Sequence, residues 1–154
     1  MSRRRLSRAF VLAFCILART AMAGDVLPLK VTDAWVRAVP GSLTDTAAFM
    51  ILENTGDVPL KLTGAKTELA TMAMAMETTH KVVQGVDVQG MAAVDSIEVP
   101  PHGRQILKPG GYHLMLMNMT SHPRPGDMVS VTLEFEPGDR TITVKMPARI
   151  DGGN

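Results

Sequence analysis

The clearest fold signal in this chain is VSVTLEFEPGDRTITVKM, at residues 129–146. Apolar residues occupy every second position from Val129 to Phe135 and again from Ile142 to Met146, which is the period of strands with one buried face. Between the two runs, the sequence EPGD at residues 136–139 supplies Pro, Gly and Asp, the residues of a tight turn. This stretch therefore predicts a β-hairpin near the C-terminus.

The rest of the chain continues this strand pattern towards the N-terminus. Turn sequences containing Gly or Pro recur, and no stretch of about 12 residues keeps a helical period. Further strands are predicted at residues 31–39, 47–53, 71–77 and 112–119, with one starting at residue 60 and a short hairpin limb at residues 82–88. The pattern predicts a single all-β domain, a sandwich or barrel, over residues 24–154.

Residues 1–23 are predicted to be a cleaved signal peptide. A basic start with Arg3–Arg5 and Arg8 precedes an apolar run at residues 9–17, and small residues then favour cleavage before Gly24. The apolar run is half of the roughly 20 residues that a membrane span needs, so we expect periplasmic export and no span after cleavage. The sequence leaves general and twin-arginine export open. Phe14 precedes Cys15 where a lipoprotein signal needs a small residue, so lipid attachment is not expected.

Removing this leader changes the composition. It takes away five Arg and no acidic residue, which leaves 11 Lys+Arg against 15 Asp+Glu in 131 residues and disfavours a nucleic-acid partner. The single cysteine, Cys15, is also lost, so the mature chain cannot form disulfides, a thiolate zinc site or a blue-copper centre. Ten methionines remain, and this excess of thioether sulfur is the first functional hint.

Two runs of alternating residues carry most of this sulfur. In residues 72–76 Met alternates with Ala, and the ordinary interpretation of such a run is Met packing in the core. In residues 113–119 His and Met alternate with Leu, so His113 and Met115 leave one strand face and can reach the same ion. Two other histidines flank prolines in turn sequence and are predicted to be exposed: His102 and His122.

The spacing of four residues resembles that of the PCu(A)C-type periplasmic copper chaperones. His80 is followed after ten residues by Met91, then after twenty-one by His113, and after one more by Met115. Three other stretches resemble the same family, and together they cover most of residues 30–145: DAWVRA at 33–38, AAFMILENTG at 47–56 and KPGGYHLMLM at 108–117.

The resemblance implies a cupredoxin-like Greek-key β-sandwich that binds one Cu(I) per chain. Carried over by position, His80, Met91, His113 and Met115 would be the metal ligands. Family members usually place the first His at the end of a strand, whereas here the predicted strand ends at Met76-Glu77 and His80 follows later. Met76 is therefore the alternative to His80.

The residue types favour the same metal without the resemblance. Thioether sulfur is soft and uncharged, which favours Cu(I) over zinc or hard cations. An oxidising compartment would convert paired cysteines to a disulfide, whereas Met and His persist there. Imidazole must be neutral to bind, so capture is expected to weaken in acid, and oxidation of Met to the sulfoxide would remove ligands.

Three functional classes stay open from the residues. The resemblance implies a carrier without catalytic turnover, which delivers copper to the CuA-bearing subunit of cytochrome c oxidase or to another assembly chaperone. A copper-dependent redox enzyme is an alternative, although four protein ligands leave no position for a substrate. A structural or adhesion-type sandwich whose Met residues are all core is the third.

Overall fold

The computed structural model describes residues 26–150, which form ten strands and no helix. The all-β prediction is confirmed. The strands are β1 (Leu29–Arg37), β2 (Thr46–Asn54), β3 (Leu60–Thr67), β4 (Ala70–Val83), β5 (Val86–Ala93), β6 (Ile97–Val99), β7 (Arg104–Leu107), β8 (Tyr112–Met119), β9 (Met128–Glu136) and β10 (Arg140–Arg149). Within residues 26–150 nothing helical is long and apolar enough to cross a membrane. The predicted signal peptide and Cys15 lie outside the described residues.

The strands form one sheet in the order β5-β4-β8-β2-β1-β10-β9-β3-β6, with β7 paired to β2. Strand β3 also pairs with β4, at Thr67 and Ala70, so the seven strands from β4 to β3 form a closed circuit. β1 and β10 are parallel and the remaining pairs are antiparallel. The β4–β5 hairpin lies outside this circuit, and β5 is an edge strand.

The C-terminal hairpin is where the sequence predicts it. β9 and β10 pair from Arg140 opposite Phe135 to Pro147 opposite Met128. The alternate apolar residues of β9 point inward, and Leu133 and Phe135 are among the largest fully buried side chains. Burial of one face of each strand therefore explains the two-residue period of this segment.

Three strands differ from the prediction. β4 does not end at Glu77 but continues to Val83, so that His80 lies within a strand and not beyond its end. The short strands β6 and β7 were not predicted from the sequence, because three or four residues are too few to show a period.

The core is built mainly from Leu, Val and Ala of β2, β3, β8 and β9. Among residues 26–150 the buried methionines are Met50 and Met146, at 1% and 0% exposure. The three methionines of residues 72–76 are half-buried or exposed. The interpretation of that run as core packing is therefore wrong.

Candidate metal centre

The β4–β8 pairing places six soft donors on one face of the sheet. The two strands pair in a regular antiparallel register: Met72 opposite Met117, Met74 opposite Met115, and Met76 opposite His113. Side chains alternate between the two faces of a strand, so all six leave the same face. The residues between them, Ala75, Leu114 and Leu116, are buried in the core. We call the six residues the Met/His face, and it lies on the outside of the sheet.

Met91 joins this face from the neighbouring edge strand β5. It lies opposite Thr78 of β4 and is 62% exposed. By this register Met91 is a diagonal neighbour of both Met76 and His80, at a separation of about 7–8 Å between backbones. A flexible thioether side chain at that position can turn towards either residue.

His113 is held in one tautomer by a backbone oxygen. Its side chain is only 4% exposed, and its Nδ1 lies 3.0 Å from the carbonyl oxygen of Gly111. A carbonyl oxygen can only accept, so Nδ1 carries the proton and Nε2 keeps its lone pair. A backbone carbonyl of this kind is the usual outer partner of a metal-binding imidazole. Nε2 is therefore the nitrogen of His113 that this hydrogen bond leaves available.

The Gly111 carbonyl also links the loop at residues 108–111 to β4. The backbone nitrogen and the hydroxyl of Thr78 both donate to the oxygen of Gly111, each at 3.2 Å. The loop itself is a tight turn, because the nitrogen of Gly111 donates to the oxygen of Lys108 at 3.0 Å. Pro109 and Gly110, with φ +79° at Gly110, are the central residues that a type II turn requires.

An open cavity of about 390 Å³ connects Met91 and His113. Its wall includes Phe49, whose ring centroid is 6.3 Å from that of His113 and 4.6 Å from that of Trp35. Buried aromatic rings on this side restrict the movement of the imidazole and exclude water from it.

Arg37 is the one permanently charged side chain among the residues that line this cavity. Its guanidinium carbon lies 5.1 Å from the centroid of the Phe49 ring. A fixed positive charge opposes a divalent ion twice as strongly as a monovalent one at the same distance. The charge near the cavity therefore favours a monovalent cargo.

The strand register places the five candidate ligands along one face of the neighbouring strands β5, β4 and β8. Met76 lies opposite His113, Met115 is two residues from His113 on β8, and Met91 of β5 lies opposite Thr78, two residues along β4 from Met76. His80 lies opposite Gln89, four residues beyond Met76, which is about 13 Å along the strand. Its Nδ1 is 3.7 Å from a carboxylate oxygen of Asp87.

The other histidines and the acidic residues do not form a site. Within the described residues, no group of three or more His, Cys, Asp or Glu is arranged to hold a metal. His102 and His122 are exposed, as predicted, and bind the Asp57 carboxylate and the Leu43 carbonyl oxygen. The donor set of the Met/His face and Met91 is therefore sulfur and imidazole, which suits a soft ion.

Sequence reasoning missed three parts of this centre: the Gly111 carbonyl, Thr78 and Arg37. The Gly111 carbonyl is a backbone group, which every residue has, so the residue type gives no sign of its role. Thr78 is recognisable only once β4 is known to extend past Glu77. Arg37 belongs to a stretch that resembles the family, but only the structure shows that it lines the cavity.

Solved structures share this architecture and define the class of the protein. The copper-bound PCuAC domain from PmoF2 has a TM-score of 0.64 and 23% identity, and covers 79% of this chain and 92% of its own, which shows the fold. The solution structure of CuI-DR1885 from Deinococcus radiodurans is 37% identical, with a TM-score of 0.62, over 86% of this chain and 85% of its own. This protein is a cupredoxin-like β domain of the PCuAC type, and the resemblance found in the sequence is confirmed.

Within that class, the chain belongs to the LpqE-like family. The family model, described as "Putative lipoprotein LpqE-like", matches residues 29–148. A curated relative, "Putative lipoprotein Lxx21020" from Leifsonia xyli subsp. xyli (strain CTCB07), is 32% identical over 121 residues, which is 79% of this chain and 69% of the relative.

Proposed function

We propose that this protein captures one Cu(I) at the cavity edge of the Met/His face and passes it on without catalytic turnover. The observation that carries the proposal is the cavity lined by both Met91 and His113, with Met115 on the same face of β8 as His113 and Nδ1 of His113 held by the Gly111 carbonyl oxygen. The relative DR1885, 37% identical, was solved in a CuI form, which supports the same cargo here.

The donor chemistry suits a carrier. Thioether and imidazole are neutral ligands that select Cu(I) over harder ions. Met91 on an exposed edge strand leaves one side of the ion accessible to the ligands of an acceptor. A substrate would have to displace one of the protein donors to reach the ion, so we propose a carrier and not a copper enzyme.

For the fourth ligand we infer Met76 in preference to His80. Met76 lies directly opposite His113, where paired side chains have Cβ atoms about 4.5–5.5 Å apart. His80 is a diagonal neighbour of Met91 but lies far along β4 from His113. X-ray absorption of the Cu(I) form distinguishes them: three sulfurs and one nitrogen fit Met76, and two of each fit His80. In Met76→Leu one sulfur neighbour should be lost, whereas His80→Gln should leave the spectrum unchanged.

Anaerobic Cu(I) titration against a chromophoric competitor tests capture. We expect His113→Ala with Met115→Leu to weaken the tight equivalent by at least about 100-fold, since loss of outer-shell partners alone costs 10–100-fold in metal sites. Met128→Leu removes an exposed thioether on β9 and is the matched control, with affinity unchanged. If the double variant with an intact fold binds as tightly as the control, the proposed site is wrong, and a structural sandwich is then the better description.

Delivery is the second part of the proposal. We propose that the acceptor is a CuA-bearing oxidase subunit or an assembly chaperone that serves it. Mixing the Cu(I)-loaded chain with a copper-free CuA domain, followed by separation, should find the copper on the acceptor. Copper that stays on this chain at equilibrium contradicts delivery to that acceptor and leaves capture untouched.

Export is the third part. The family and the curated relative are described as lipoproteins, which supports an exported protein. We propose cleavage before Gly24, which the mass of the purified mature chain measures directly. A lipid-modified N-terminus at Cys15 is the outcome that contradicts it.

A further inference from the structure

The Met/His face extends beyond the residues assigned to the proposed copper centre. Met72 and Met117 lie opposite each other, four residues along each strand from the Met76–His113 pair. That separation is about 13 Å, so one ion cannot contact both pairs. Met74 lies between these two pairs on β4, two residues from Met72 and opposite Met115.

Met72, Met74 and Met117 are not part of the hydrophobic core. Met72 is 47% exposed, and Met74 and Met117 are half-buried on the outer face. The opposite face of the same segments carries the packing, through Ala75, Leu114 and Leu116. An exposed apolar side chain contributes little to stability, so burial does not account for Met72, and Met74 and Met117 lie beside it on the same outer face.

Their geometry is that of a thioether cluster. The opposed pair Met72–Met117 has Cβ atoms about 4.5–5.5 Å apart, and Met74 is a diagonal neighbour of Met117 at about 7–8 Å. Each side chain has three rotatable bonds, so three sulfur atoms can converge above the sheet. Three neutral thioethers form a donor set that selects Cu(I).

We propose that Met72, Met74 and Met117 form a second Cu(I) site, made of thioethers alone. It depends on the proposed function only for the identity of the cargo, since the cluster itself is defined by the strand register. It binds at least tenfold more weakly than the centre that contains His113, because it lacks an imidazole. An ion held there lies next to the Met74–Met115 pair, one step along the face from the first centre.

The test is a methionine-methyl NMR titration of the purified chain, labelled with ¹³C at the methionine methyl groups, with Cu(I) under anaerobic conditions. The first equivalent should shift the methyl signals of Met91 and Met115. The second should shift those of Met72, Met74 and Met117. Met128, which is 59% exposed and lies on β9, is the internal control for nonspecific binding to a surface thioether.

Two variants separate this site from the first. The triple variant Met72→Leu/Met74→Leu/Met117→Leu, of conserved volume, should lose the second equivalent and keep the first. The variant His113→Ala/Met91→Leu should lose the first equivalent and still shift the three cluster methyl signals. If this variant keeps the first equivalent, the proposed function is wrong and the thioether cluster is unaffected.

Three outcomes overturn the proposal. The first is that the methyl signals of Met72, Met74 and Met117 stay unchanged at two equivalents. The second is that the Met128 signal shifts as much as theirs. The third is that the triple variant still binds the second equivalent.

Discussion

At the scale of single residues, the turn before His113 depends on a positive φ of +79° at Gly110. A Cβ added at this position meets no atom within 4 Å, so Gly110→Ala introduces backbone strain without a steric clash. We expect the free energy of unfolding of the metal-free chain to fall by about 1–2 kcal/mol, measured by urea denaturation.

Gly41→Ala is the matched control for that change. Gly41 also has open space around its Cβ position, but its φ is outside the left-handed region. Alanine there restricts the unfolded chain, so stability should be unchanged or higher by about 0.4–1 kcal/mol. Equal losses in the two variants would show that the Gly110 conformation is not what stabilises the turn.

Arg37 gives a prediction about metal selectivity. Its charge lines the cavity beside Phe49, so Arg37→Gln removes a repulsion that acts on any cation bound there. A water-screened repulsion between two unit charges is worth about 1 kcal/mol, so Cu(I) affinity should rise roughly fivefold, and Cu(II) affinity more. Competition titrations for Cu(I) and electron paramagnetic resonance for Cu(II) measure the two. An equal or smaller gain for Cu(II) contradicts this account of Arg37.

At the scale of the element, β8 separates stability from metal binding on its two faces. Leu116 is fully buried, whereas Met117 is half-buried on the opposite face. Leu116→Ala should therefore cost about 2–5 kcal/mol in unfolding free energy, and Met117→Leu less than about 1.5 kcal/mol. Chemical denaturation without metal measures both, and comparable losses would place Met117 in the core.

The same strand shows what could be predicted from the sequence. The bounds of β8 match the predicted residues 112–119, because a two-residue alternation that ends at turns is a local property. The shared face of His113 and Met115 follows from that alternation alone. Leu114 and Leu116, between and beyond them, are fully buried in the core.

Strand β4 shows what could not be predicted from the sequence. Its pairing partner is distant in sequence, so no local pattern puts Met76 opposite His113. Its length was also hidden, because the turn at Gln84-Gly85 has positive φ at both residues, and Gln is not among the residues that usually mark such a hairpin turn. Spacing along the chain therefore favoured His80, whereas the register is what places Met76 opposite His113.

At the scale of the whole molecule, the closed circuit of strands is rigid where His113 lies, and the edge is open where Met91 lies. β8 is paired on both sides, with β4 and β2, whereas β5 pairs with β4 alone. Local opening of a protein begins where few contacts hold the backbone. We infer that Met91 is the ligand that leaves first when copper is handed over.

The distribution of methionines through the molecule gives a prediction that needs no variant. Peroxide oxidises accessible thioethers to the sulfoxide. Met91 and Met128, at 62% and 59% exposure, should therefore react quickly in the metal-free chain, while Met50 and Met146 in the core react slowly. One equivalent of Ag(I), a soft monovalent ion that is redox-inert here, should protect Met91 and leave Met128 reactive. Peptide mass spectrometry after timed exposure measures each rate. Equal rates for Met91 and Met128 in the presence of Ag(I) would mean that Met91 is not a ligand, and the centre would have to be built from the Met/His face alone.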